Sequence, residues 1–258
     1  MGYKIVFFDI DGTLLNTDHR IPADTVAAVR ELQERGIQVA IATGRAPFHL
    51  QPIAEQLGIT TYVGFNGSYV VHEGKLIYER TLAKECLAAL EKMAAANGHP
   101  MVYLSRDTCY ANVDRHPYVI ESFQYLRLEP PAFHPRYWDE QPIHQAFLYC
   151  EEQEEAQYVD QFQDVSYVRW HRLVMDILPQ GGSKASGIEA LLRHCGLAPE
   201  EAVAFGDGLN DREMLAFVGM GVAMGNAHDA VKPVANMTTL HVNEGGIRYG
   251  LQQLGLIR

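Results

Sequence analysis

The sequence predicts an α/β fold: a doubly wound, mostly parallel, Rossmann-like sheet with an inserted α+β domain. Three observations carry that prediction. Short apolar runs alternate with amphipathic helical stretches near both ends of the chain, as in a parallel sheet covered on both faces. Several runs stop at acidic or Thr-Gly segments, where ligands bind in open α/β sheets. From about residue 81 to 181 the pattern changes to strands and helices without βαβ order, an expected unit with its own antiparallel sheet. Residues 1–80 and 182–258 then form the core domain and 81–181 the insertion.

In order, Ile5-Val6-Phe7-Phe8 reads as a strand buried on both faces, ending at Asp9-Ile10-Asp11-Gly12-Thr13. Pro22 to Arg35 has Val26, Val29 and Leu32 at helical spacing and closes at Gly36. Ile37 to Ala42 is a second strand, ending in Thr43-Gly44-Arg45 ahead of a helix that runs to Gly58. Tyr62 to Phe65 is a third strand, and Tyr69–Val71 with Lys75–Tyr78 is a hairpin across His72-Glu73-Gly74. In the insertion we expect a helix over 83–97, strands at Met101–Leu104, Cys109–Val113 and Ile143–Cys150, an acidic helix from Glu151 to Phe162, and strands at Val165–Trp170 and Leu173–Leu178. Gln180 to Ser183 leads back into a helix from Lys184 to Cys195. Ala202 to Phe205 is a further strand, ending in Gly206-Asp207-Gly208-Leu209-Asn210-Asp211. A strand at 219–224, a helix over 227–235 and an edge strand at 239–242 complete the expectation.

Hydrophobic residues make up 47% of the 258, enough for a substantial core. A net charge of -11 without clustered Lys and Arg excludes a nucleic-acid footprint. Cys86, Cys109, Cys150 and Cys195 lie far apart with no CxxC, as expected of reduced thiols in a cytoplasmic protein. The first strand begins by Ile5, which leaves no room for a signal peptide, and no apolar run approaches the ~20 residues of a membrane span.

Right-handed crossovers set the strands parallel, so their carboxyl ends deliver Asp9, Asp11, Thr43, Asp207, Asn210 and Asp211 to one crevice. Asp9 and Asp11 alone could be a polar strand exit, and Thr43 alone a helix cap. Together they gather carboxylates that need a cation, and an oxygen-only set suits Mg²⁺ better than zinc. Lys184, at the helix after the insertion, offers a point charge for a phosphate. No Gly-x-Ser-x-Gly elbow and no GxxxxGK[ST] loop is present, which excludes those hydrolase and nucleotide-binding designs.

Asp9-x-Asp11-Gly-Thr, Thr43, Lys184 and Gly206-Asp207-x-x-Asn210-Asp211, in this order, resemble the four motifs of the haloacid-dehalogenase-like (HAD) phosphohydrolases. The insertion resembles the C2-type α+β cap of the Cof-type subfamily, as do Phe65-Asn66-Gly67 and Met224-Gly225-Asn226-Ala227. The resemblance implies a phosphatase acting on phosphate monoesters of small metabolites. It implies Asp9 as nucleophile, forming an aspartyl-phosphate, and Asp11 as general acid and then base. It places Mg²⁺ on Asp9, Asp207 and the backbone carbonyl of Asp11. It assigns phosphate contacts to Ile10 (backbone), Thr43, Gly44, Lys184 and Asn210, with Asp211 orienting its neighbours. A phosphomutase would be expected to carry a different cap between the first two motifs, and a non-catalytic phospholigand-binding protein would not need both acids. In the insertion, Trp170, His171 and Arg172 with Arg106 or Tyr110 are candidates to read the leaving group, or simply to build the insertion's own core and surface.

Overall fold

The computed structural model describes residues 2–258. The chain divides into two compact units: one takes in the chain up to Arg45, His49–Tyr78 and Ser183–Arg258, the other Ala46–Phe48 and Glu79–Gly182. The elements run β1 (Ile5–Phe8), α1 (Ala23–Glu34), β2 (Gln38–Ala42), α2 (Pro47–Leu57), β3 (Tyr62–Gly64), β4 (Tyr69–His72) and β5 (Lys75–Glu79). Next come α3 (Lys84–Ala96), β6 (Met101–Leu104), β7 (Cys109–Ala111), α4 (Pro117–Tyr125), β8 (Ala132–Phe133), α5 (Tyr137–Glu140), β9 (Gln145–Tyr149), α6 (Ala156–Val159), β10 (Val165–His171) and β11 (Val174–Pro179). The chain closes with α7 (Lys184–Cys195), β12 (Ala202–Gly206), α8 (Arg212–Phe217), β13 (Met220–Ala223), β14 (Met237–Thr238) and α9 (Gly246–Gln253).

The first unit holds an eight-stranded sheet in the order β14-β13-β12-β1-β2-β3-β4-β5. β1 lies between β12 and β2, parallel to both, with Phe8 in register with Phe205 and Ile41. All four β1 side chains are buried, and the period of two divides them between the faces. Val6 and Phe8 pack with Val29 and Leu32 of α1 and Leu251 of α9. Ile5 and Phe7 pack with Ile188 and Leu191 of α7 and Met214 and Leu215 of α8. Apolar layers on both faces explain why the strand has no polar residue until Asp9. β4 turns back antiparallel to β3.

The second unit is a six-stranded sheet in the order β10-β11-β9-β6-β7-β8, antiparallel except for β7 with β8. Its core holds Met101, Tyr103, Ala146, Leu148, Met175 and Ile177 together with Leu87, Leu90 and Ala94 of α3.

Three elements differ from expectation. Glu151 to Phe162 is a 3₁₀ turn at Glu152–Glu154 followed by the single turn of α6. Glu151 and Glu154 form a capping box at the start of this segment, the Glu154 carboxylate accepting from the Glu151 N–H at 2.9 Å. The helix expected over 227–235 is reduced to a 3₁₀ turn at Lys232–Val234, because Pro233 has no N–H to give an α-helix. The edge strand is Met237–Thr238, pairing with β13, and the 239–242 stretch instead leads into a 3₁₀ turn at Val242–Glu244. Helices α4, α5, α8 and α9 and strand β8 had no counterpart in the sequence reading. Among the described residues no helix is long and apolar enough to cross a membrane.

Candidate active site

The pairing of β1 with β12 brings Asp9 and Asp207 together. The Asp9 N–H still donates to the Phe205 carbonyl at 3.0 Å, after which the chain coils, with Leu15 N–H donating to the Ile10 carbonyl at 2.8 Å. Gly12 makes this turn with φ +82°, and a Cβ there would sit 2.2 Å from Asp207 Oδ2. Glycine is therefore required both for the conformation and for the approach of the Asp207 carboxylate. The buried Thr13 hydroxyl donates to Asp207 Oδ1 at 2.7 Å.

Ser183 caps α7, its Oγ accepting from Ser186 N–H at 3.3 Å, and so fixes Lys184 as the first helical residue. Lys184 is buried rather than solvated. Its Nζ donates to Asp9 Oδ1 at 2.5 Å and to Asp211 Oδ1 at 2.6 Å. The other Asp211 oxygen accepts the N–H groups of Asp207 and Gly208, both at 2.8 Å, and so ties the loop after β12. Asp9, Asp207 and Asp211 each bring a carboxylate oxygen within 4.8 Å of the others.

Burial dominates the electrostatics. It raises the Asp9 carboxyl well above its ordinary range, with Asp211, Asp207 and Asp11 adding to the rise and Lys184 opposing it. Burial, then Asp211, pushes Asp207 up to about 7, against the Thr13 hydrogen bond. For Lys184 burial works against the charge, but Asp211 and Asp9 outweigh it and hold the ammonium above the usual lysine range. Three acids thus face one buried ammonium. An all-oxygen set with that excess of negative charge fits a hard divalent cation.

Asp11 lies outside this trio. Its half-exposed carboxylate takes a bidentate contact from Arg45, with Nε to Oδ2 at 2.8 Å and Nη2 to Oδ1 at 2.6 Å. The Ile10 side chain is buried in the core, and its carbonyl accepts from Leu15 N–H at 2.8 Å. Thr43 is buried, its Oγ accepting from Arg45 N–H at 3.1 Å and its carbonyl from Asn66 N–H at 3.0 Å. A Cβ on Gly44 would lie 3.0 Å from the Asn66 amide, and Asn210 Nδ2 donates to Asn66 Oδ1 at 2.9 Å.

Sequence reasoning missed the roles of Thr13, Arg45, Asn66 and Asn226. Asn226 donates to the Gly12 carbonyl at 2.8 Å and accepts from Val242 N–H at 2.9 Å. The signals were present as unassigned pieces of Thr43-Gly44-Arg45, Phe65-Asn66-Gly67 and Met224-Gly225-Asn226-Ala227. In the second unit, Trp170 Nε1 donates to the buried Asp176 at 2.7 Å, Arg172 pairs with Glu121 at 2.5 Å and Arg106 with Asp107 at 2.9 Å. Tyr110 packs on Tyr137, ring centres 4.6 Å apart.

Comparison with known proteins puts this geometry in a lineage. The family model for haloacid dehalogenase-like hydrolases matches residues 6–251. The chain belongs to this family. YkrA of Bacillus subtilis (strain 168), provisionally named a phosphatase, is 42% identical over the whole of both chains. A crystal structure of a hypothetical protein from Geobacillus kaustophilus HTA426 superposes with a TM-score of 0.93 at 48% identity, covering 99% of this chain and 100% of that one. The HAD subclass IIB sugar phosphatase BT4131 superposes with a TM-score of 0.89 at 29% identity, over 98% of this chain and 100% of its own. This hydrolase is accordingly a phosphoric monoester hydrolase on a HAD fold.

Proposed function

We propose that the protein is a Mg²⁺-dependent phosphatase that hydrolyses phosphate monoesters of small metabolites through an aspartyl-phosphate on Asp9. The observation that carries this reading is the buried Asp9 carboxylate, bonded to Lys184 and set beside Asp207 and Asp211 at adjacent strand ends. The sugar phosphatase among the similar structures favours phosphorylated sugars within that class. The second compact unit is the cap, and four unpaired cysteines suit a reducing, cytoplasmic setting.

The metal would be held by the carboxylates of Asp9 and Asp207 and the backbone carbonyl of Asp11, with Asp211 bracing the loop. When bound, Mg²⁺ offsets the excess negative charge and stabilises charge on the phosphoryl oxygens. The Ile10 backbone, Thr43, Gly44, Lys184 and Asn210 bind the phosphate. Lys184 fixes one Asp9 oxygen, and an Asp9 oxygen forms the bond to phosphorus as the ester P–O bond breaks. The departing alkoxide takes a proton from Asp11. In the second step water attacks the phosphorus, gives a proton to Asp11, and the bond to Asp9 breaks to release inorganic phosphate. Both Asp11 oxygens accept from Arg45, so one of those bonds gives way whenever Asp11 carries the proton.

Hydrolysis of p-nitrophenyl phosphate tests this. Activity is expected with Mg²⁺, lost in EDTA and restored by added Mg²⁺. Asp9→Asn should lower turnover by at least about 10³-fold while the circular dichroism spectrum is unchanged. Turnover indifferent to both chelation and the substitution would overturn the reading.

A further inference from the structure

We infer that Asn66 is a positioning residue for phosphate binding, acting through Asn210; the inference rests on the phosphatase reading above. The turn Phe65-Asn66-Gly67 is buried throughout, yet its three residues all have left-handed backbones, with φ of 50°, 48° and 100°. Glycine adopts that region freely and asparagine tolerates it, but a phenylalanine there is an outlier that the surroundings must impose. Backbone of this kind persists where neighbouring structure over-determines it, which is characteristic of functional sites.

The surroundings here are the motif residues themselves. The Asn66 N–H donates to the Thr43 carbonyl at 3.0 Å, which ties the turn to the end of β2. Gly67 packs so closely on the start of α7 that a Cβ would lie 1.9 Å from the Ser183 carbonyl oxygen, beside Lys184. The Asn66 side chain reaches the third strand end, its Oδ1 accepting from Asn210 Nδ2 at 2.9 Å. One turn therefore touches the carriers of Thr43, Lys184 and Asn210.

The Asn210 bond has chemical content beyond bracing. A carboxamide can present either its oxygen or its NH₂ group, and only the NH₂ group can donate to a phosphate. The Asn66 oxygen takes one of the two amide hydrogens, which selects this orientation and leaves the second for a ligand. The Asn210 oxygen is turned toward Gly208, where a Cβ would meet it at 2.7 Å. Removal of the Asn66 carboxamide would let Asn210 rotate and offer a carbonyl oxygen to an anion.

A double-mutant cycle tests this, read as the inhibition constant of inorganic phosphate and as kcat/KM on p-nitrophenyl phosphate. Asn66→Gly keeps the left-handed turn while removing the carboxamide, so the fold should persist, as an unchanged circular dichroism spectrum would show. It should weaken phosphate binding on the order of tenfold. Because Asn66 acts through Asn210, the double variant with Asn210→Ala should bind phosphate no worse than Asn210→Ala alone. Independent, multiplying losses would overturn the inference, as would wild-type phosphate affinity in Asn66→Gly beside a loss in Asn210→Ala. Wild-type affinity in Asn210→Ala would overturn both this inference and the phosphate assignment beneath it.

Discussion

Lys184 is the residue on which the site's charge balance turns. Its buried ammonium is bonded to Asp9 and Asp211, whereas among the described residues the Asp207 carboxylate takes a hydrogen bond from the Thr13 hydroxyl alone, and its carboxyl rises to about 7. The sign of the consequence is definite. With the folded value above that of an unfolded aspartate, the metal-free fold holds an extra proton between the two values and loses stability as pH rises through the upper one. On the proposed reading, Mg²⁺ bound at this site would take the place of that proton. The rise in Tm produced by a fixed Mg²⁺ concentration should therefore be larger near pH 8 than near pH 6 in differential scanning fluorimetry. An equal or larger rise at the lower pH would contradict this charge balance. Asp9, Thr43, Lys184, Asp207 and Asn210 could be picked out of the sequence as candidates because each stands where an apolar run or a helix begins or ends. Their partners could not. Thr13 reaches a residue 194 positions away and Asn66 one 144 positions away, and no local pattern marks such a bond.

At the scale of elements, the site depends on how closely α7 approaches β3 and the turn after it. Gly187 makes that approach, since a Cβ there would fall 2.4 Å from a Val63 methyl and 2.7 Å from the Gly67 Cα. Glycine to alanine inside a helix ordinarily stabilises by about 1 kcal/mol. Here overpacking of roughly 1–3 kcal/mol should reverse the sign, so Gly187→Ala should unfold at a lower temperature than the wild type, with a higher KM as Lys184 shifts. An unchanged or raised Tm would show that α7 has room to spare. The βαβ elements around β1, β2 and β12 were legible because buried parallel strands are continuous apolar runs. The short helices α4, α5, α8 and α9 were not, because helices of so few turns are marginal on their own and tertiary packing decides them. The helix expected over 227–235 failed on Pro233, and over 151–162 regular structure is confined to the turns at Glu152–Glu154 and Ala156–Val159.

For the whole molecule, family membership and the HAD fold agree with the motif order read from the sequence, while YkrA, which matches along its full length, carries only a general name. The proposed mechanism puts a covalent step on one named carboxylate, so the most direct measurement is to stop the reaction and find the phosphoryl group. The protein is mixed with a ³²P-labelled phosphate monoester and Mg²⁺, quenched in acid during turnover, and digested. Label is expected on the peptide that contains Asp9, and none in Asp9→Asn. Steady turnover with no labelled peptide, or with the label on a different residue, would contradict the covalent step on Asp9.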